Sequence, residues 1–226
     1  MPLLSVIVPV YNEAKTIRQI LEKIEAVNID KEIIVVDNAS EDETGKILRG
    51  ISYPNLKVIH LVSNHGKGGA VRTGLANATG TFIILQDADL EYDPFDYGRL
   101  LAPAQEGKAD LVLGARTMQK RDGLFMHRSG NKVLNALINA LFKSSLNDCA
   151  TCYKLASKKI FEELRLEAKG FSLEAEIVCS ALKKKMRIVE IPISYYPRTY
   201  AEGKKNRWLD GLWAIFSIIK YRLKRT

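Results

Sequence analysis

Short apolar segments alternate with segments of helical periodicity through the first half of the chain. The apolar segments are residues 4–8, 32–36, 56–61 and 81–85, and three helical segments separate them. Apolar runs of this length are typical of strands buried on both faces of a parallel sheet, because a strand with one face in water alternates apolar and polar residues. The alternation predicts an α/β fold in which right-handed crossovers connect parallel strands.

The second half of the chain continues this pattern less regularly. The further elements expected are a helix after Pro94, a strand at residues 111–115, helices at residues 131–142 and 174–184, and a strand at residues 187–191. Pro9 and Pro192 are interpreted as the ends of the first and last strands, because proline cannot donate a hydrogen bond within a sheet.

The composition is that of a globular protein without a disulfide framework. The 226 residues are 46% hydrophobic and 27% charged, which allows one substantial core. Three cysteines in a chain whose first residues lack a secretory signal argue against disulfides, so Cys149 and Cys152 are interpreted as structural despite their C-x-x-C spacing. The missing signal also predicts a cytoplasmic location.

Two common nucleotide-binding classes are excluded by the glycine pattern. The turn after the first strand, residues 9–13, contains no glycine, and no segment of the chain matches G-x-x-x-x-G-K-[ST]. The chain is therefore neither a nicotinamide-dependent dehydrogenase nor a P-loop NTPase. A nucleotidyltransferase would carry a glycine- and arginine-rich loop after the first strand. Residues 9–13, P-V-Y-N-E, do not match such a loop, which argues against that class.

Three carboxylates follow the fourth predicted strand, in the string Q-D-A-D-L-E. At the carboxyl edge of a parallel sheet Asp87, Asp89 and Glu91 would lie in one crevice, where they repel each other unless a cation is present. Oxygen ligands suit Mg²⁺ or Mn²⁺, which commonly bridges substrate phosphates. The string predicts a metal–diphosphate site in which Asp89 is the direct metal ligand and Asp87 contacts ribose or holds the metal through water.

Other polar residues are expected at the same edge of the sheet. Asp37 ends the second strand, where it can accept hydrogen bonds from a base or a ribose, with a helix cap as the alternative. Glu13 follows the first strand and could equally be a first-turn helix residue. The turn Gly66-Lys67-Gly68-Gly69 precedes a helix, which predicts an anion site served by backbone N–H groups and Lys67, or else a flexible loop.

Four segments of the chain together resemble glycosyltransferase family 2. They are V-I-V-P-V-Y-N-E at 6–13, I-I-V-V-D-N-A-S-E-D at 33–42, N-H-G-K-G-G-A-V-R-T-G at 64–74 and Q-D-A-D-L at 86–90. The resemblance is closest to the polyprenyl-phosphate (dolichyl-phosphate) sugar transferases of that family. It implies a nucleotide-diphospho-sugar transferase (GT-A type) fold, with a mostly parallel sheet flanked by helices. It also implies inverting, Mg²⁺- or Mn²⁺-dependent transfer from a GDP- or UDP-sugar to a polyprenyl phosphate.

The same resemblance assigns roles to residues of this chain. It places Asp89, Asp87 and Glu91 at the metal, although Glu91 stands where mannosyl-phosphate enzymes carry glutamine. It implies that the segment R-T-Y-A-E-G-K, residues 198–204, closes over the diphosphate through Arg198 and Lys204. The remaining residues assigned to the nucleotide-sugar are Pro9, Tyr11, Glu13, Asp37, Lys67 and Ala88.

The acceptor decides which further groups the chemistry needs. A lipid phosphate is already a nucleophilic dianion near neutral pH, so it needs positive charges, and Arg116 and Arg128 fit that need. A hydroxyl acceptor would instead need a carboxylate base. The candidate bases are Asp148, Glu174 and Glu176. A protein that binds the nucleotide-sugar without turnover is a further alternative.

The end of the chain is basic and partly apolar. Residues 204–226 carry seven basic residues and one acidic residue, interleaved with large apolar side chains. This pattern favours a membrane surface over nucleic acid, and a separate membrane-spanning subunit is a further candidate partner. The longest uncharged run there is too short to cross a bilayer. We expect one domain, with a nucleotide-sugar half (1–116), an acceptor-side half with a mobile loop (117–206) and an amphipathic helix (207–226).

Overall fold

The computed structural model describes residues 1–116, 125–170, 172–198 and 208–223, without the side chains of residues 125–129 and 208–213. The strands are β1 (Leu4–Val10), β2 (Lys31–Asp37), β3 (Leu56–His60), β4 (Phe82–Leu85), β5 (Leu111–Arg116), β6 (Lys154–Ser157) and β7 (Ile188–Ile193). The helices are α1 (Ile17–Glu25), α2 (Thr44–Arg49), α3 (Gly66–Asn77), α4 (Tyr97–Gln105), α5 (Phe125–Phe142), α6 (Lys158–Leu164), α7 (Leu173–Lys183) and α8 (Trp208–Leu223).

The seven strands form one mostly parallel sheet in the order β3-β2-β1-β4-β6-β5-β7. Strand β6 alone runs antiparallel to its neighbours, between β4 and β5, whereas β1 pairs in parallel with β2 and β4. The predicted α/β fold with a mostly parallel sheet is confirmed. Strands β1 and β2 are buried along almost their whole length, as expected for the centre of such a sheet.

Strand β6 was not predicted from the sequence. It has only four residues, K-L-A-S, and it begins with a lysine, so it carries neither the length nor the apolar run of a buried strand. Lys154 is nevertheless fully buried, and its ammonium donates to the carbonyl groups of Cys149 and Thr151. These backbone acceptors compensate only in part, because burial still lowers the pKa of Lys154.

Both prolines that were expected to end strands lie inside them. Pro9 pairs with Val36 within β1, and β4 ends opposite Ile7, so no partner on the β4 side requires an N–H from Pro9. Pro192 pairs with Ala115 within β7, which is an edge strand of the sheet. Proline is tolerated in both settings because its missing donor faces a position without a strand partner.

Helix α8 packs on α5 and α7 through one side. Ile218 and Tyr221 are buried, and the Tyr221 hydroxyl donates to Glu176 Oε1 at 2.8 Å. The Phe216, Ile219 and Leu223 side chains are exposed. Within the described parts of the chain, no helix is both long enough and apolar enough to cross a membrane.

Candidate functional site

The carboxyl ends of β1, β2 and β4 lie side by side and carry the predicted site residues. Val10 pairs with Asp37, and the Gln86 backbone N–H donates to the Ile7 carbonyl at 2.9 Å. The Q-D-A-D turn therefore leaves the sheet beside the turn that follows β1. The βαβ units of the first half bring these distant segments of the sequence to one edge.

Gln86 fixes the backbone from which the two aspartates project. It is fully buried, and its Oε1 accepts hydrogen bonds from the hydroxyl groups of Tyr97 and Tyr153, both at 2.6 Å. Its Nε2 donates to the Asp87 carbonyl at 2.9 Å. Sequence reasoning did not assign Gln86 a role, although a polar residue directly after an apolar strand was the available signal.

Asp87 is held by a half-buried lysine that contacts a second carboxylate. Lys67 Nζ lies 2.7 Å from Asp87 Oδ1 and 2.7 Å from Glu174 Oε1. Burial opposes ionisation of both Lys67 and Asp87, but their mutual attraction outweighs it, so the pKa of Lys67 is raised and the pKa of Asp87 is lowered. The ammonium that was predicted to bind phosphate is thus already neutralised by two protein carboxylates.

The glycines around Lys67 allow a close approach between two backbone segments. The Gly68 N–H donates to the Lys169 carbonyl at 2.9 Å. A Cβ at Gly68 would lie 1.9 Å from the Ala168 carbonyl oxygen, and a Cβ at Gly66 would lie 2.1 Å from that of Lys169. Since Gly66 also has a positive φ of 70°, both positions require glycine. The start of α3 is therefore packed against residues 168–170.

Asp89 and Glu13 share one arginine. Arg198 Nη2 donates to Asp89 Oδ2 at 3.2 Å, and Arg198 Nη1 donates to Glu13 Oε2 at 3.1 Å. Burial, reinforced by the charges of Asp87 and Glu91, raises the pKa of Asp89 from 3.8 to about 7, against the opposing effect of Arg198. The environment of Asp89 thus favours a nearby cation.

Glu91 connects this cluster to the segment after β7. Its Oε2 accepts a hydrogen bond from the Tyr195 hydroxyl at 2.7 Å, and its Oε1 accepts one from the Arg198 backbone N–H at 2.8 Å. The Tyr196 N–H also donates to the Glu91 carbonyl at 2.8 Å. Glu91 therefore positions residues 195–198, and its predicted role as a metal ligand stays a prediction.

The predicted base and ribose residues surround the ends of β1 and β2. Asp37 is buried, with Oδ2 at 2.9 Å from His60 Nδ1 and Oδ1 accepting from the Ser40 N–H at 3.0 Å. The contact with Ser40 lies in the turn after β2. The alternative role of Asp37 as a helix cap is wrong, because α2 begins at Thr44 and its N-cap residue is Glu43. Of the other assigned residues, Pro9 lies in β1, Tyr11 is half-buried in the following turn and Ala88 is buried.

Arg116, at the end of β5, forms a bidentate pair with Asp148. Its Nε and Nη2 donate to the two carboxylate oxygens of Asp148, each at 2.7 Å, and its guanidinium lies 5.2 Å from the Tyr195 ring centroid. Despite the opposing effect of burial, this pairing raises the pKa of Arg116 and lowers the pKa of Asp148. The side chain of Arg128 and the whole of Lys204 lie outside the described residues.

The Glu176 carboxylate stabilises the backbone next to the start of α3. It accepts hydrogen bonds from the N–H groups of Glu167 and Ala168, at 2.9 and 2.8 Å, in addition to the Tyr221 hydroxyl. The three cysteines Cys149, Cys152 and Cys179 are free and buried, in agreement with the structural interpretation of the C-x-x-C pair.

Comparison with known proteins identifies the family. Residues 5–165 match the family model described as glycosyl transferase family 2. The chain belongs to glycosyl transferase family 2. The family predicted from the four sequence segments is confirmed, and so is the glycosyltransferase class of enzyme.

Curated relatives in this family are longer than the present chain. The undecaprenyl-phosphate 4-deoxy-4-formamido-L-arabinose transferase of Proteus mirabilis is 29% identical over 209 residues, which cover 88% of this chain and 62% of that protein. Glycosyltransferase AglJ of Haloferax volcanii is 27% identical over 198 residues, covering 85% of this chain and 63% of that protein. The chain thus spans less than two thirds of these relatives.

Solved structures confirm the GT-A type fold. Glucosyl-3-phosphoglycerate synthase from Mycobacterium tuberculosis, solved with Mn²⁺, UDP and phosphoglyceric acid, superposes with a TM-score of 0.75 at 20% identity, covering all of this chain and 80% of that one. The same enzyme with Mg²⁺ and UDP superposes with a TM-score of 0.73 at 22% identity, covering 98% of this chain and 78% of that one.

The residues at the sheet edge are chemically suited to a divalent ion. Among the described residues no group of three or more His, Cys, Asp or Glu side chains is arranged to hold a metal. Mg²⁺, however, usually needs only one or two carboxylates and completes its coordination with water and substrate phosphates. Asp89 Oδ2 already attracts a guanidinium, so a cation is compatible with its position. The donor set of Asp89 and Asp87 fits the ion that the sequence predicts.

Proposed function

We propose that the chain transfers one sugar, with inversion, from a nucleoside-diphosphate sugar to a polyprenyl phosphate at the cytoplasmic face of a membrane, in a reaction that requires Mg²⁺ or Mn²⁺. Membership of the family and the carboxylates at the sheet edge support the sugar-donor half of this proposal. The undecaprenyl-phosphate sugar transferase among the relatives supports the acceptor half.

Asp89 is the residue that would hold the metal directly, with Asp87 nearby. A bound divalent ion supplies a Lewis acid that neutralises the diphosphate as it leaves. Gln86 and Lys67 hold Asp87 in a fixed orientation, which reduces the reorganisation needed when the sugar donor binds. Glu13 and Asp37 lie at the adjacent strand ends, where they can accept hydrogen bonds from the hydroxyl groups of a ribose or from a base.

Each of the three candidate bases already has partners within the protein. This observation is the main support for a phosphate acceptor. Asp148 is bound bidentately by Arg116, Glu174 pairs with Lys67, and Glu176 accepts three hydrogen bonds from the protein. A hydroxyl acceptor needs a carboxylate that can take up a proton. A phosphate dianion needs no base, and Arg116 at the end of β5 is the candidate to bind it, in competition with Asp148 for the guanidinium.

A membrane-facing surface would bring the lipid to this site. The exposed side of α8 carries Phe216, Ile219 and Leu223, and the same helix contains Lys220 and Arg222. Apolar side chains beside basic ones suit the surface of an anionic bilayer. We therefore place α8 against the membrane, with its Ile218 side on the protein core.

A transfer assay with matched acceptors tests the proposal. The purified protein is offered UDP- and GDP-sugars, Mg²⁺ or Mn²⁺, and either a short polyprenyl phosphate or the corresponding polyprenol. We expect glycosylated lipid only with the phosphate and only with the metal. Transfer to the polyprenol or to a glycan hydroxyl would contradict the acceptor proposal, and binding without any turnover would contradict the enzymatic one.

A further inference from the structure

The guanidinium of Arg198 contacts Asp89 Oδ2, one of the two oxygens through which Asp89 would bind a divalent ion. Its Nη2 is 3.2 Å from Asp89 Oδ2, and its Nη1 and Nη2 are 3.1 and 3.3 Å from the two oxygens of Glu13. The three side chains are only 12% to 19% exposed. A metal ion binds a carboxylate oxygen at about 2.1 Å, so an ion on Asp89 Oδ2 would compete with the guanidinium for that oxygen and would lie close to its positive charge.

The backbone at Arg198 is anchored independently of the guanidinium. The Arg198 N–H donates to Glu91 Oε1 and the Tyr196 N–H donates to the Glu91 carbonyl, both at 2.8 Å. The side chain can therefore leave Asp89 and Glu13 while residues 195–198 remain attached to Glu91. The guanidinium is also incompletely satisfied, because Nε is buried and has no hydrogen-bond partner among the described residues. A buried donor without an acceptor weakens this arrangement relative to one in which every donor is paired.

We propose that Arg198 acts as an internal counter-cation of the substrate-free site, and that divalent metal and nucleotide bind only after its guanidinium leaves Asp89 and Glu13. This inference rests on the proposed function in placing the metal at Asp89 and the nucleoside near Glu13. The contact blocks both at once, so either ligand that displaces Arg198 lowers the free energy needed for the second to bind. Metal and nucleotide binding are thereby coupled through one side chain.

The size of the effect follows from the population of the blocked state. When only one molecule in ten has Asp89 free, the observed metal affinity is about tenfold weaker than the intrinsic affinity. Removing the guanidinium should therefore strengthen binding of the metal alone by the inverse of the fraction that has Asp89 free, which is about tenfold for this population.

The experiment compares Mn²⁺ binding without nucleotide in the wild type and three variants by titration calorimetry, with circular dichroism as the folding control. Arg198→Gln should bind Mn²⁺ about tenfold more tightly than the wild type. Arg198→Lys keeps the charge but cannot bridge two carboxylates in the same way, so it should also bind more tightly. Arg187→Gln is the control. Arg187 is exposed and pairs with Asp110, and the two residues precede β7 and β5, at the edge of the sheet opposite to the site. This variant should bind Mn²⁺ like the wild type.

Two outcomes would overturn the inference. Unchanged or weaker Mn²⁺ binding in Arg198→Gln would show that the guanidinium does not occupy the ion's position. Tighter binding in Arg198→Gln with wild-type binding in Arg198→Lys would show repulsion between charges and not occupancy of the site. Neither outcome bears on the acceptor, so a failure of the proposed function would be seen separately in the transfer assay.

Discussion

At the scale of single residues, the ionisation of Asp89 should make stability depend on pH. Its pKa is raised from 3.8 to about 7 by burial and by Asp87 and Glu91, so the folded protein binds this proton more tightly than the unfolded chain does. Ionisation of Asp89 therefore destabilises the folded protein. This effect is absent below the pKa of the unfolded chain, where the carboxyl group is protonated in both states, and it grows as the pH rises to the pKa of the folded protein. Above that pH it is constant, at roughly 4 kcal/mol at most.

Asp89→Asn removes this ionisation and provides the measurement. The variant should match the wild type near pH 4 and become more stable than the wild type toward pH 8, in urea unfolding without divalent ions. A stability difference that does not change with pH would show that Asp89 does not titrate in this range.

Lys67 is expected to be essential for the electrostatic balance of the site. Lys67→Met leaves the half-buried carboxylates of Asp87 and Glu174 without their shared counter-ion, which should lower the free energy of unfolding by about 3 kcal/mol. Adding Glu174→Gln to that variant should restore part of the loss. Lys46→Met, at an exposed pair with Glu43, should change stability by less than about 1 kcal/mol. Additive effects of the two site substitutions in urea unfolding would contradict the coupling.

The residues expected at the sheet edge could be predicted from the sequence, whereas the residues that contact them could not. Asp87, Asp89, Glu13 and Asp37 were located by strand ends, which a parallel sheet brings to one edge. The partners of Lys67 and Asp89 could not be read in this way, because Glu174 and Arg198 are more than 100 residues away from them in the sequence. Only the packing of the second half on the first brings these charges together.

At the scale of elements, the start of α3 should not tolerate a side chain at Gly68. Gly68→Ala would place a Cβ 1.9 Å from the Ala168 carbonyl oxygen, so it should destabilise the protein by about 3 kcal/mol. Gly98→Ala, in α4, is the matched control, because no heavy atom lies within 4 Å of the added Cβ. It should stabilise the protein by up to about 1 kcal/mol. Equal thermal stability of the two variants would contradict the close packing.

The two sides of α8 should respond differently to truncation. Ile218 is 1% exposed and Ile219 is 44% exposed, so Ile218→Ala should lower the free energy of unfolding by about 2–5 kcal/mol and Ile219→Ala by much less.

The exposed side of α8 should instead affect membrane binding. Phe216→Ser with Leu223→Ser should weaken binding to anionic vesicles about tenfold or more at nearly unchanged stability. Vesicle flotation that is unaffected by the double substitution would contradict the membrane assignment of this side.

The elements themselves were predicted well where their apolar pattern was strong. Strands β1 and β2 and helix α1 follow from continuous runs and from the spacing of Ile17, Ile20, Leu21 and Ile24. Strand β6 and the strand positions of Pro9 and Pro192 were missed, because they depend on which neighbours a strand has in the sheet. That information is not contained in local periodicity.

At the scale of the whole molecule, one sheet edge brings together residues from different parts of the chain. In the proposed function the ends of β1 and β2 would provide the nucleoside side, the Q-D-A-D turn would provide the metal side, and Arg116 at the end of β5 would provide a positive charge for the acceptor. The proposed acceptor side lies in later parts of the chain, whose sequence pattern is weaker. The family and the fold were therefore easier to predict than the acceptor.

The most direct test of this account is sugar transfer to a short polyprenyl phosphate by the wild type and by Asp89→Ala, measured with and without Mn²⁺. Product is expected only for the wild type and only with the metal. Asp89→Ala should keep the wild-type circular dichroism spectrum and lose at least about a hundredfold in rate. Full transfer by a folded Asp89→Ala protein, or equal transfer without a divalent ion, would contradict it.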